Sequence, residues 1–144
     1  MDKIERREES LDYIKRYSGL WYKWGGDDPK GFDCSGLAIE FLKAAGLLPR
    51  KFDTTAQGLW ERYQTHEVKE PSRGCLVFWH GGNKDKAIHV EIMLNSQQAI
   101  GASGGGSKTQ TESDAMRDNA FIKVRTIKSR SGIKGFVDPF QSLM

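Results

Sequence analysis

The sequence predicts an α+β fold in which N-terminal helices pack on a C-terminal antiparallel β-sheet. Apolar residues recur at helical spacing before Pro71, and short runs of β-branched and aromatic residues follow it. Helices first and strands second distinguish an α+β fold from an alternating α/β fold. The 144 residues fit one compact domain with a modest core, and they contain neither a repeat nor a linker. We therefore expect a single domain over residues 1–144.

Three helices are predicted before Pro71, over residues 4–17, from about Cys34 to Ala45, and from Thr54 to Tyr63. Asp33 is placed to cap the second helix, and Gly46 is placed to end it. The run Thr54-Thr55-Ala56-Gln57 matches a capping box and opens the third helix. Residues 20–29 are predicted to form an aromatic loop between the first two helices.

Five strands are predicted after Pro71, over residues 75–79, 88–94, 98–102, 121–127 and 133–137. The second and third of these form a hairpin through residues 95–97. The glycine-rich segment 103–119 is predicted to be a loop bordering the cleft. It lacks the phosphate-loop signature because Ser107, not glycine, precedes Lys108. Residues 110–114 do not show the pattern of an amphipathic helix.

Composition and charge exclude several function classes. The net charge of +3, with acids and bases interspersed, is too mild for a nucleic-acid binder. No apolar stretch approaches the roughly 20 residues of a membrane span. Residues 1–9 alternate in charge and lack the apolar segment of a secretory signal. The two cysteines form no metal-binding or disulfide pattern, so we expect free thiols and neither a metal nor another cofactor.

Cys34 is the most informative residue of the chain. It is predicted to open a helix, where backbone N–H groups lack acceptors and the helix dipole is positive. That environment favours the thiolate, which is the nucleophilic form. Cys34 is therefore a candidate nucleophile, provided that a histidine base lies nearby in the fold.

His89 is the best candidate for that base among the three histidines. It lies inside a predicted strand and shares a face with Glu91 and Met93. We expect this face to pack against a helix, so a polar residue on it suggests that the sheet meets a helix end there. His66 and His80 lie in loop-like contexts and are interpreted as surface residues.

Five sequence blocks occur in a characteristic order: Tyr22–Gly26, Phe32–Leu37, Gly46–Arg50, Gly74–Trp79 and His89–Leu94. Together they resemble the NlpC superfamily of cell-wall cysteine peptidases, which have a circularly rearranged papain-like α+β fold. The resemblance covers about residues 13–103. Its most specific part is the Asp-Cys-Ser-Gly block that follows a Tyr-x-x-Gly-Gly loop.

The resemblance implies a role for each matching position. Cys34 is the expected nucleophile and His89 the expected general base. Tyr22 is expected to help bind the oxyanion or the substrate backbone, and the backbone N–H of Cys34 to donate to the oxyanion. Asp33 and Ser35 are expected to hold the amino-terminal side of the substrate.

The aromatic residues near Tyr22 have two readings. Trp24, together with Trp21 and Phe32, can line a peptide groove or stack on a sugar, and the competing reading is packing in the core. Trp24 is therefore a candidate substrate-binding residue, and core packing is an alternative for Tyr22 as well.

The chain departs from the family pattern where a third residue should orient the base. Family members usually have a polar residue, often His, twelve positions after the base, and here that position is Gly101. The candidate replacements are Ser103, a water molecule in the space at Gly101, and Glu91, where the family prefers a small residue. Glu91 lies about 6–7 Å along the strand from His89, which is too far for an easy direct hydrogen bond. Cys75, where the family usually has Asp, is interpreted as an inert thiol.

The leading hypothesis is a cysteine peptidase or amidase that hydrolyses an amide bond in peptidoglycan stem peptides, often between γ-D-Glu and the diamino acid. One alternative is a catalytically weakened domain with a binding or structural role, for example in a phage particle, and Gly101 is its main support. Another is an acyltransferase. Without a signal peptide, we expect delivery by phage or secretion machinery, or action on wall fragments in the cytoplasm. Of these we favour a phage lysis or tail protein.

Overall fold

The computed structural model describes residues 2–20, 27–28, 31–103 and 111–143. Its helices are α1 (Lys3–Lys15), α2 (Cys34–Ala44), α3 (Ala56–Tyr63) and α4 (Glu112–Asp118). Its strands are β1 (Asp27–Asp28), β2 (Gly31–Phe32), β3 (Glu67–Val68), β4 (Leu76–His80), β5 (Ala87–Met93), β6 (Gln98–Ser103), β7 (Phe121–Thr126) and β8 (Ile133–Val137). Short 3₁₀ helices cover Gln64–His66, Ile127–Ser129 and Pro139–Leu143.

Six strands form one antiparallel sheet in the order β3-β8-β4-β5-β6-β7, and β1 pairs with β2 in a separate small hairpin. The five strands predicted after Pro71 are β4 to β8, each within one residue at either end. The three predicted helices are α1 to α3. The predicted α+β fold, with helices preceding most of the sheet, is confirmed.

The helices pack on one face of the sheet. Leu11 of α1 and Leu37 of α2 share a buried cluster with Phe78, Val90 and Ile92 of the sheet. Side chains alternate between the two faces of a strand. The helices therefore cover the Val90 face, and the prediction that they pack on the His89 face is wrong.

The opposite face of the sheet has its own apolar cluster. Val77 and Trp79 of β4 pack there with Met93 of β5 and Ala99 of β6. His89 and Glu91 lie on this face because the register pairs them with Trp79 and Val77, respectively. The two polar side chains are therefore buried on the same face as this apolar cluster.

Two local predictions are corrected by the structure. Thr55, not Thr54, caps α3, and its side chain accepts a hydrogen bond from the Gly58 N–H. Residues 111–118, predicted as loop, form a capping box and α4, in which Thr111 and Asp114 satisfy each other's backbone N–H groups. Only Ala115 of α4 is buried, so the helix lacks the apolar periodicity that would have predicted it.

Side-chain hydrogen bonds tie the helices to the elements that carry the site. Tyr13 of α1 donates its hydroxyl to Glu40 of α2 at 2.7 Å. Gln57 of α3 accepts the backbone N–H of Ala87, the first residue of β5, at 2.6 Å. These contacts fix α2 and β5, which contain Cys34 and His89. In the part of the chain that the structure describes, no helix is long and apolar enough to cross a membrane.

Candidate active site

Cys34 is the first residue of α2, and Asp33 caps the helix as predicted. Asp33 Oδ1 accepts the backbone N–H of Gly36 at 2.6 Å and the hydroxyl of Ser35 at 3.3 Å. Ser35 itself is buried. The carboxylate of Asp33 therefore fixes the helix start and lies next to the thiol, and the hydroxyl of Ser35 turns toward that carboxylate.

The pKa of the Cys34 thiol is raised to about 12, so the prediction of an activated thiolate is wrong for the free protein. Burial is the largest cause, and the negative charges of Asp33 and Glu91 add to it. Backbone hydrogen bonds from Val90 and Ser35 lower the pKa but do not compensate. Because burial and two carboxylates outweigh the helix dipole, Cys34 is a neutral thiol near pH 7.

The Cys34 thiol lies against β5 at the backbone of Val90, the residue that follows His89. β5 is held in the sheet by β6 through the pairs Ile92–Ile100 and Met93–Ala99. The hydrogen bond between the Cys34 sulfur and the backbone of Val90 lies one residue from His89. Glu91 and Arg130 each act electrostatically on both Cys34 and His89, so these two residues, 55 positions apart in the sequence, share charged neighbours in the fold.

His89 is buried and held by an aromatic neighbour. Its imidazole lies 5.2 Å, centroid to centroid, from the ring of Trp79, the residue opposite it on β4. Trp79 is anchored in turn because its Nε1–H donates to the carbonyl of Arg130 at 3.1 Å. Burial lowers the pKa of His89, and the charges of Arg130 and Arg125 lower it further, against the opposing effect of Glu91. His89 is therefore a neutral base at pH 7.

Glu91 makes the hydrogen bond that the sequence analysis judged too long. His89 Nε2 lies 2.6 Å from Glu91 Oε2, and both side chains are almost fully buried. The spacing of about 6–7 Å refers to residues two apart along a strand, and the long glutamate side chain closes that gap. Arg125 Nη2 donates to the same Oε2 at 3.1 Å.

The protonation states of His89 and Glu91 follow from their burial, their hydrogen bond and the charges around them. Burial raises the pKa of Glu91, but its hydrogen bond to His89 and the positive charges around it outweigh burial and lower the pKa overall. An ionised carboxylate only accepts hydrogen bonds. His89 must therefore donate from Nε2, which leaves Nδ1 without a proton in the neutral ring.

Gly101 provides the space that Glu91 occupies. An ideal Cβ at Gly101 would lie 2.2 Å from Cγ and 2.7 Å from Cδ of Glu91. Glu91 thus fills the space that the sequence analysis assigned to a water molecule, and that alternative is wrong. Ser103 ends β6, and its side chain lies outside the described part of the structure. Of the candidate orienting residues, Glu91 is the one shown to contact His89.

Two predicted site residues lie outside the part of the chain that the structure describes. Tyr22 and Trp24 lie outside the described residues, so their roles remain predictions. Cys75 is buried in the apolar cluster on the His89 face of the sheet, with Sγ 3.4 Å from the Ser72 hydroxyl. Burial raises the pKa of the Cys75 thiol, as it does that of Cys34. Within residues 2–20, 27–28, 31–103 and 111–143, no three His, Cys, Asp or Glu side chains are grouped to hold a metal ion.

Three residues around the base were not predicted from the sequence: Trp79, Arg125 and Arg130. Trp79 could have been found from the β4–β5 register, which places it opposite His89. Arg125 lies two strands away, and its contact with Glu91 depends on the pairing of β6 with β7. Arg130 follows a 3₁₀ turn and carries no local signal.

Comparisons with curated proteins give relatives that are named endopeptidases. The chain is 39% identical over 94 residues to the bifunctional muramidase/DL-endopeptidase CwlT of Bacillus subtilis, covering 63% of this chain and 27% of that protein. It is 32% identical over 96 residues to the probable endopeptidase YafL of Escherichia coli, covering 65% and 38%, respectively. The chain thus spans well under half the length of these relatives.

Solved structures share the fold. A Staphylococcus aureus protein described as similar to a lipoprotein of the NLP/P60 family superposes with a TM-score of 0.67 at 26% identity, over 92% of this chain and 41% of that one. The peptidoglycan hydrolase RipB of Mycobacterium tuberculosis superposes with a TM-score of 0.70 at 22% identity, over 94% and 65%.

The model of one protein family matches most of the chain. The match covers residues 19–128, which include α2, β5 and β6 and therefore Cys34, His89 and Gly101. The relatives and the shared fold agree with it. The chain belongs to the NlpC/P60 family.

Proposed function

We propose that this chain is a cysteine endopeptidase or amidase that hydrolyses an amide bond in peptidoglycan stem peptides. The observation that carries the proposal is the hydrogen bond of the Cys34 sulfur to the backbone of Val90, which directly follows a buried neutral His89 whose Nε2 is hydrogen-bonded to Glu91. A nucleophile, a base and a group that orients the base are the parts that covalent amide hydrolysis needs.

In the proposed acylation step, Nδ1 of His89 removes the thiol proton as the Cys34 sulfur attacks the scissile carbonyl carbon. The pair starts neutral, so the proton moves during attack rather than before it. The oxyanion accepts a hydrogen bond from the Cys34 N–H, one of the N–H groups at the helix start that lack an acceptor within the helix. The C–N bond then breaks, and the amine leaves with the proton from His89.

In the proposed deacylation step, His89 removes a proton from water, which attacks the thioester carbon. The C–S bond breaks, the carboxylic acid is released, and Cys34 regains its proton. The sum of both steps is an amide plus water giving an acid plus an amine. His89 serves as base and then acid in each step, which requires a pKa close to the working pH.

The substrate class is proposed from the relatives. CwlT is named a DL-endopeptidase, and RipB is named a peptidoglycan hydrolase. We therefore propose that the substrate of this chain is an amide bond of a peptidoglycan stem peptide. The bond between γ-D-Glu and the diamino acid is the first to test. Action on the wall after delivery, or on wall fragments in the cytoplasm, belongs to the same proposal. The relatives and structures named above do not support a phage or secretion partner.

The weakened-domain alternative rested on Gly101, and that support is lost. Residue 101 has no side chain, and Glu91 occupies the space that one would take and makes the hydrogen bond to His89. No observation favours an acyltransferase over a hydrolase.

The test is incubation of the protein with purified muropeptides between pH 5 and 9, followed by mass spectrometry. We expect two fragments whose masses sum to the substrate plus one water, and we expect none with Cys34→Ala. Cys75→Ala is the matched control and should leave cleavage intact, because Cys75 pairs with Met93, four positions from His89 along β5, and its sulfur contacts the Ser72 hydroxyl. Absence of cleavage by the folded wild type, or equal cleavage by Cys34→Ala, would refute the proposal.

A further inference from the structure

We propose that Glu91 is the positioning residue for His89 and that Gly101 is the position that permits it. Glu91 thereby replaces, from the same strand as the base, an orienting side chain that would otherwise come from β6. The inference rests on the proposed function for its kinetic consequence, but its geometry can be tested without activity.

The first argument is the geometry of the hydrogen bond. Glu91 Oε2 lies 2.6 Å from Nε2 of His89, and only 6% and 1% of the His89 and Glu91 side chains, respectively, are exposed. Burying an ionised carboxylate costs free energy unless hydrogen-bond donors or positive charges pair with it. Two donors do so, His89 Nε2 and Arg125 Nη2, and both bind the same oxygen.

The second argument is steric. The β5–β6 register, extended by one residue from the pair Ile92–Ile100, places Gly101 opposite Glu91. A Cβ at position 101 would meet Cγ, Cδ and Cβ of Glu91 at 2.2, 2.7 and 3.0 Å. A side chain at 101 and the observed conformation of Glu91 therefore exclude each other.

The third argument is chemical. An ionised Glu91 accepts the proton of Nε2 and so selects the neutral tautomer that leaves Nδ1 as the basic nitrogen. The opposite tautomer would present an N–H to the thiol and could not remove its proton. Glu91 acts through His89 and need not touch the substrate.

The direct test is nitrogen NMR of histidine-labelled protein, with His89→Asn used to assign the signal. In the wild type we expect the proton on Nε2 and an unprotonated Nδ1. In Glu91→Ala and Gly101→Ala we expect a mixture of tautomers, because the acceptor is lost or displaced. Gly82→Ala is the matched control, since a Cβ at Gly82 has no neighbour within 4 Å. An Nδ1–H tautomer in the wild type, or identical signals in wild type and Glu91→Ala, would overturn the proposal.

The kinetic test compares the same variants on a cleaved muropeptide. Glu91→Ala and Gly101→Ala should lower kcat by roughly 10²- to 10⁴-fold with little change in KM, because the base loses its orientation. Glu91→Gln should retain more activity than Glu91→Ala, because an amide oxygen can still accept the Nε2 proton. Unchanged kcat in folded Glu91→Ala would refute the positioning role. If the wild type cleaves nothing, the proposed function fails, and the NMR result still decides the positioning.

Discussion

Glu91 and Gly101 share one volume: a Cβ at position 101 would lie 2.2 Å from the Cγ of Glu91. This relationship explains why the residue expected to orient the base is absent from β6. In our proposal the orienting group is on β5 instead, where Glu91 Oε2 lies 2.6 Å from His89 Nε2. What the structure shows is that the observed conformation of Glu91 requires glycine at position 101.

Removing the charge of Glu91 and removing the charge of Arg125 should shift the pH dependence of activity in opposite directions. Activity needs neutral His89, whose pKa is lowered, so kcat/KM should rise through a pKa below 6.5. Glu91 raises that pKa and Arg125 lowers it. The acid limb should therefore move down in Glu91→Gln and up in Arg125→Gln, by no more than about one pH unit each. Lys123→Gln, also on β7, is the control, and shifts in the same direction would contradict the assignment.

The pH dependence of Cys34 alkylation should show a thiol that loses its proton only at high pH. With a pKa of about 12, the iodoacetamide rate should rise about tenfold per pH unit from pH 7 to 10 and show no plateau. The experiment uses a Cys75→Ser background so that Cys34 is the remaining thiol. A plateau with a midpoint at or below about pH 8.5 would contradict the raised pKa.

Asp33→Asn should separate the two effects of Asp33, which are capping of α2 and raising of the Cys34 pKa. Asparagine can still accept the N–H of Gly36 and cap α2, so stability should hold, whereas Asp33→Ala should cost about 1 kcal/mol. Loss of the negative charge should lower the pKa of Cys34 and speed its alkylation at pH 8. Urea unfolding and the alkylation assay measure the two effects. Equal alkylation rates in wild type and Asp33→Asn would show that Asp33 does not act on the thiol.

The protein should lose stability in acid in two stages. The pKa of His89 is lowered, so below pH 6.5 the unfolded chain binds more protons and the free energy of unfolding falls. The pKa of Glu91 is also lowered, so its contribution is present above pH 4.5 and is lost as the pH falls through its folded value. Each group contributes a slope of at most about 1.4 kcal/mol per pH unit. Urea unfolding from pH 7 to 3 measures this, and a flat profile would contradict both directions.

Trp79 should support both the fold and the base. Trp79→Phe keeps an aromatic ring beside His89 but removes the hydrogen bond to the Arg130 carbonyl, at a cost of about 1–2 kcal/mol. Trp79→Ala also leaves a cavity and should cost about 3–5 kcal/mol. Among the folded variants kcat should fall more with Ala than with Phe. Equal kcat values in the two variants would show that the ring does not support His89.

Much of this site could be predicted from the sequence because its signals are local. Asp33 next to Cys34 and ahead of an apolar run predicts a capped helix, and the structure has one. The alternation around His89 predicts a strand, which is β5. Local signals failed where burial was slight, as in α4, whose single buried residue is Ala115.

The sequence by itself determined the α+β order of elements, the position of Cys34 at a helix start and the position of His89 in a strand. These follow from periodicity and capping, which act over a few residues. Only the tertiary structure decided that Glu91 bonds His89, that Gly101 makes room for it and that the pKa of Cys34 is raised rather than lowered. These depend on strand register, side-chain conformation and burial, because charges and volumes brought together by folding are distant along the chain.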